Sequence, residues 1–149
     1  LGMAVIPGVL IISTFVMLLT FGPGPEGYTG AAFQGVALLP ALAAKAGFVF
    51  DFLFGFKHPE LVAFPATSLG AVGAAMSLVP PFISKGLITG NEIAVFTAMG
   101  MCWSGFLSTH TAMLDALGYR SLTSRAIAAH TVGGLVAGIS AHQLFVLFG

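Results

Sequence analysis

Long apolar runs alternate with short polar turns along this chain, and the lengths of the runs carry the first inference. Leu1 to Phe21 is apolar and uncharged. At about 1.5 Å rise per residue, about 20 residues cross the hydrocarbon core of a bilayer, so the run predicts a first membrane helix. A signal peptide would need a basic n-region and a small-residue cleavage site, and neither is present. Gly22-Pro-Gly-Pro-Glu-Gly-Tyr-Thr-Gly30 stops the helix, because proline removes a backbone donor and glycine disfavours continuation. Tyr28 then sits in an interfacial loop. Ala31 to Phe54 predicts a second helix, kinked at Pro40, with Lys45 snorkelling toward the nearer surface.

Phe56-Lys-His-Pro-Glu60 is a polar turn before a third apolar segment, 61–79, which Pro65 interrupts early. Small side chains dominate from Ala66 to Ser77, and such stretches pack backbone against backbone. This segment is expected either to span or to be a broken or re-entrant helix, which needs protein or a cavity to cover its backbone. Pro80-Pro81 is expected to end it. Thr89 and Asn91 are candidate caps for the next helix. Ile93 to Leu117 predicts one helical run, Gly118 to Arg125 a turn, and Ala126 to Phe148 a last span containing the close-packing pattern Gly134-Leu-Val-Ala-Gly138.

The expected fold class is therefore all-α, a polytopic helical membrane protein of about five segments, forming a single membrane domain over 1–149. If all five cross, Lys45, Lys57, Arg120 and Arg125 lie on one side and Lys85 on the other, which places the amino terminus in the cytoplasm. A re-entrant third segment changes that parity.

Composition sharpens the picture. The chain is 57% hydrophobic and 7% charged, with a mean hydropathy of +1.02, whereas soluble domains carry about 25% charged residues. Apolar residues come in continuous runs, without the alternation of a transmembrane barrel. Five basic residues balance five acidic ones, so no basic patch exists for nucleic acid. The single Cys102 excludes an internal disulfide and a cysteine-based zinc site. No nucleophile elbow, P-loop or dinucleotide fingerprint appears, so no enzymatic activity and no cofactor are expected.

The polar exception is Trp103-Ser-Gly-Phe-Leu-Ser-Thr-His-Thr-Ala-Met-Leu-Asp115. On a continuous helix, Ser104, Ser108, Thr111 and Asp115 fall within about 40° of Thr97, making one polar face. A carboxylate in a bilayer costs about 2.5–3.5 kcal/mol on insertion scales, so Asp115 needs compensation. Either it couples to a cation, or it lies near the surface and pairs with Arg120. The hydroxyls either face a solute or bond back to their own helix. His110 is a proton carrier or a satisfied interior histidine, and Trp103 either stacks on a base or belongs to the core. His130 and His142 lie about 120° apart on the last helix, no histidine pair has metal-ligand spacing, and no metal is expected.

Ser104-Gly-Phe-Leu-Ser-Thr-His110, followed by a turn and the small-residue helix from Ala126 to Phe148, resembles the carboxyl-terminal half of the nucleoside-recognition, or Gate, family of membrane proteins. Phe64-Pro-Ala-Thr-Ser-Leu-Gly-Ala-Val-Gly73 is similar to that family's other recurring element. The family includes spore maturation proteins and the gate segments of transporters. The resemblance implies an integral protein of a bacterial or archaeal cell membrane with a pathway for a small polar solute, a nucleoside among the candidates. Its pathway residues would be Thr67, Ser68, Ser104, Ser108, Thr109 and His110, joined on the helix-wheel reading by Trp103, Thr111 and Asp115. Transporters are commonly built from two repeats and this chain is one repeat long, so a homodimer or a sister Gate subunit is the expected partner, besides the lipid bilayer. A non-transporting subunit that assembles or stabilises a larger membrane complex through its glycine-rich faces is the alternative.

Overall fold

A computed structural model describes residues 2–149 except 24, 25, 31, 33 and 105, and leaves aside the side chains of 2–6, 8, 9, 106–109 and 111. The described residues make an all-α fold, with elements α1 (Gly2–Thr20), α2 (Leu38–Ala44), α3 (Gly47–Phe54), α4 (Ala63–Ser68), α5 (Val72–Met76), α6 (Val79–Ser84), α7 (Gly90–Cys102), α8 (Phe106–Ala116) and α9 (Thr123–Phe148). Single 3-10 turns over Pro59–Val62 and Arg120–Leu122 lead into α4 and α9.

The helices are shorter than the apolar runs. Among the described residues, one helix, Arg120–Phe148 with mean hydropathy 1.6, is long and apolar enough to cross a membrane; Leu10–Thr20 and Val72–Ser84 are apolar but shorter. Three expected elements are corrected. The second helix begins at Leu38, so Pro40 falls in the first turn of α2, where a missing N–H leaves no intrahelical bond unmade. The interruption comes instead at Lys45-Ala46, where the backbone tightens to i→i−3 bonds from Lys45 to Leu42 and from Ala46 to Ala43. Pro80-Pro81 does not end the third segment but falls in the first turn of α6, a position that suits proline's fixed φ. The run from Ile93 to Leu117 is two helices, because α7 ends at Cys102 and α8 starts at Phe106.

The third segment is broken, at Leu69-Gly70-Ala71 between α4 and α5 and again at Ser77-Leu78 before α6. Its buried side chains, together with those of α7, make the core. Leu61, Phe64, Leu78, Phe82, Val95, Met99 and Trp103 are all but inaccessible. Phe64 and Phe96 stack with centroids 4.0 Å apart, and Phe56 meets Phe96 edge-on.

α7 and α9 run antiparallel, and glycine lets them touch. A side chain at Gly134 would collide with the Trp103 indole, and a Cβ at Gly138 would lie 2.7 Å from Met99 Cγ. Further along, Gly90 receives the Phe145 ring. The Gly134/Gly138 pattern thus packs helices within the chain, at close range.

Much apolar surface stays outside. Phe48 and Phe52 on α3 are 79% and 77% exposed, and Leu10, Ile11 and Phe15 on α1 and Val132 and Val136 on α9 are exposed as well. The accessible surface of 8723 Å² exceeds the roughly 7,100 Å² expected for a compact monomer of 15.2 kDa.

Candidate functional site

Two breaks in the helices bring the sequence-flagged elements together. The α4–α5 break carries Thr67 and Ser68 just before it, and the α7–α8 break carries Trp103 and Ser104. Between them lies a cavity of about 300 Å³. Phe64, Val72 and Met76 form one wall, and Phe96, Thr97, Gly100 and Met101 the other, with Ser104 at the break. Gly100 keeps the space open: a Cβ there would sit 3.5 Å from Val72 and 3.8 Å from Phe64, ordinary contact without a clash. The walls are mainly apolar, and Thr97 and Ser104 supply the hydroxyls.

The candidate residues divide. Thr67 Oγ1 donates to Ala63 O at 2.6 Å and Ser68 Oγ to Phe64 O at 2.9 Å, so both buried hydroxyls bond back to their own helix. They shape the break and do not line the cavity. Thr97 Oγ1 likewise donates to Ile93 O, at 2.7 Å. Among the described residues, Ser104 joins Thr97 as a flagged hydroxyl at the cavity. Trp103 is 1% exposed, donates through Nε1 to His130 O at 3.0 Å, and covers Gly134. Its ring is core, closed to any stacked base.

His110 meets His130 across α8 and α9, with Nε2 and Nδ1 2.6 Å apart and the rings 87° from coplanar. One nitrogen donates and the other accepts, so the pair shares a single proton in the contact. Sequence spacing could not show this, because the partners come from separate helices. Asp115 is exposed and stands 3.6 Å from Arg120, the surface-pair alternative. The side chains of Ser108, Thr109 and Thr111 lie outside the described residues. Thr97 lies on α7 and Asp115 on α8, so the two residues do not share one continuous helix.

A second polar cluster went unflagged. Asn91, 8% exposed, donates through Nδ2 to Phe54 O at 2.9 Å and places Oδ1 2.8 Å from His142 Nδ1. Gly55, with φ +72°, caps α3 in the left-handed conformation and leaves room for both partners. A Cβ there would come 2.6 Å from the His142 ring and 2.7 Å from the Asn91 amide. Beside them, Glu92 accepts from the N–H and hydroxyl of Thr89 at 2.8 and 2.5 Å, a capping box at the mouth of α7 ahead of the apolar run from Ile93. Burial opposes the charge on Glu92, but the bonds from Thr89 outweigh it and hold the carboxyl below its ordinary range. Thr89 and Asn91, read as candidate caps, were the local signal for this region.

Comparison of the chain with family models, curated proteins and solved structures finds no match.

Proposed function

We propose that this chain is a helical membrane subunit forming half of a pathway for a small solute, with the cavity between the two helix breaks as the binding site. The observation that carries the reading is that cavity, half open and walled by α4, α5 and α7 beside the two breaks. Irregular backbone at membrane depth survives only where protein or a cavity covers it, and transporter sites recur at such discontinuous helices. Exposed Phe48, Phe52 and Phe15 supply lipid-facing surface. Mean hydropathy and the length of α9 support insertion in a cell membrane. The accessible surface beyond that of a compact monomer supports pairing with a second copy or a sister subunit.

The cavity's chemistry narrows the solute. A flat, weakly polar body fits between Phe64 and Met101, with a hydrogen-bonding edge toward Thr97 and Ser104. Nucleobases and nucleosides have that form, in keeping with the resemblance of 64–73 and 104–110 to the Gate family. The assembly-subunit alternative would use Gly134 and Gly138 for docking, and both already pack inside the chain.

Uptake of labelled nucleobases and nucleosides into proteoliposomes tests the reading, with Gly100→Leu to fill the cavity and exposed Gly133→Leu as the control. Saturable uptake lost in Gly100→Leu and retained in Gly133→Leu is the expected result. Absent uptake by folded wild-type protein, or full uptake by folded Gly100→Leu protein, would overturn it.

A further inference from the structure

The cluster around His142 opens onto a cleft of about 460 Å³, apart from the cavity beneath Ser104. Its chemistry follows from one amide. Asn91 Nδ2 is committed to Phe54 O, so the atom facing His142 Nδ1 is the amide oxygen, which only accepts. Nδ1 of His142 therefore carries the hydrogen, and in the neutral ring Nε2 holds a lone pair. Among the described residues no donor is bonded to Nε2. The ring is held in place, since Gly55 beneath it leaves no slack for a side chain.

Around this acceptor the cleft gathers negative charge. Glu92, 4% exposed, and Asp51 are its carboxylates, and its one basic side chain, Lys57, is bound to Asp51 at 2.6 Å. Glu92 also offsets the partial positive charge of the α7 N-terminus, while the carboxyl-terminal ends of α3 and α9 contribute partial negative charge. Phe145 adds an aromatic wall. An acceptor nitrogen, carboxylates and an aromatic face together suit a cation that donates hydrogen bonds. The rim already holds one such group, the Lys57 ammonium. A bare metal ion is poorly served, because the described residues include no three-ligand cluster.

We infer that the cleft bounded by Asp51, Glu92, His142 and Phe145 binds a primary ammonium group, with His142 Nε2 accepting one of its hydrogens and Lys57 competing for Asp51. The ammonium belongs to a small free amine or to an aminophospholipid headgroup. The inference does not depend on the transport reading.

The test uses the full chain, labelled with 15N-histidine, in phosphatidylcholine nanodiscs, with His142→Gln identifying the His142 signals and circular dichroism confirming fold. His142 should show the Nδ1–H tautomer. Methylammonium should move its Nε2 resonance to saturation, and tetramethylammonium, which has no N–H, should not. Asp51→Asn should weaken methylammonium about tenfold, as expected for loss of a charge-assisted bond, and Lys57→Met should tighten it. A shift of the same signal in phosphatidylethanolamine discs without added amine assigns the headgroup as the source, and a shift with methylammonium alone assigns a free amine. The Nε2–H tautomer, or no saturable shift with either source in folded protein, would overturn the inference. So would equal affinities in Asp51→Asn and Lys57→Met.

Discussion

α7 and α8 meet the same partner, α9, in opposite ways. α7 lies on it along a ladder of close contacts, Trp103 on Gly134, Met99 on Gly138, Asn91 with His142 and Phe145 on Gly90. Among the described side chains of α8, His110 meets His130 of α9, and beyond that point Met113 and Leu117 are exposed. Small residues let two backbones approach until large side chains interlock, and interlocked side chains tolerate little change. The α7–α9 ladder is therefore expected to tolerate substitution poorly, and the exposed carboxyl-terminal turn of α8 to tolerate it well.

The sharpest way to break this contrast is at neighbouring glycines. Gly134→Ala drives a methyl into the Trp103 indole and should destabilise the protein by about 3 kcal/mol or more. Gly133→Ala meets open space and should stabilise α9 by about 0.5–1 kcal/mol. Chemical unfolding in detergent compares the two, and equal effects would refute the ladder. Trp103→Phe keeps much of the packing but removes the Nε1 bond to the His130 carbonyl, for an expected loss of about 0.5–1.5 kcal/mol in the same assay.

Acid should act at the α7 end of the ladder. The Glu92 carboxyl is held below its ordinary range in the folded protein. Its contribution is therefore fully present above the unfolded-state carboxylate pKa of about 4.3 and is lost as pH falls through the lower folded value. Thermal unfolding followed from neutral pH to about pH 3 should show this decline, and Glu92→Gln should flatten it. Asp115→Asn on α8 is the smallest expected change, under about 0.5 kcal/mol, because its pair with Arg120 is exposed. A large loss there would mean α8 is anchored more firmly than its contacts indicate.

Legibility in the sequence followed the range of the interaction. The all-helical character showed in runs of apolar residues, the α7 start showed in Thr89 as a candidate cap, and the broken third segment showed in the small residues from Ala66 to Ser77. Pro40, Pro65 and Pro80-Pro81 misled, because the same residue that breaks a helix interior suits its first turn. The polar face of Thr97 to Asp115 misled as well, because a helical wheel presumes the continuity that the break between Cys102 and Phe106 removes. Ser104 reached the cavity, whereas Trp103 and Asp115 went to the core and the surface. His142, with its partner 51 residues away in Asn91, left no trace in any local pattern.

Composition and apolar periodicity are local sums, and they were enough to specify helices and a hydrophobic exterior. Which glycine faces Trp103, which histidine meets which, and which break opens onto a cavity depend on how the helices dock. Those are pairings between distant residues, selected by packing and by the need to satisfy each buried donor and acceptor, and they exist only once the chain has folded.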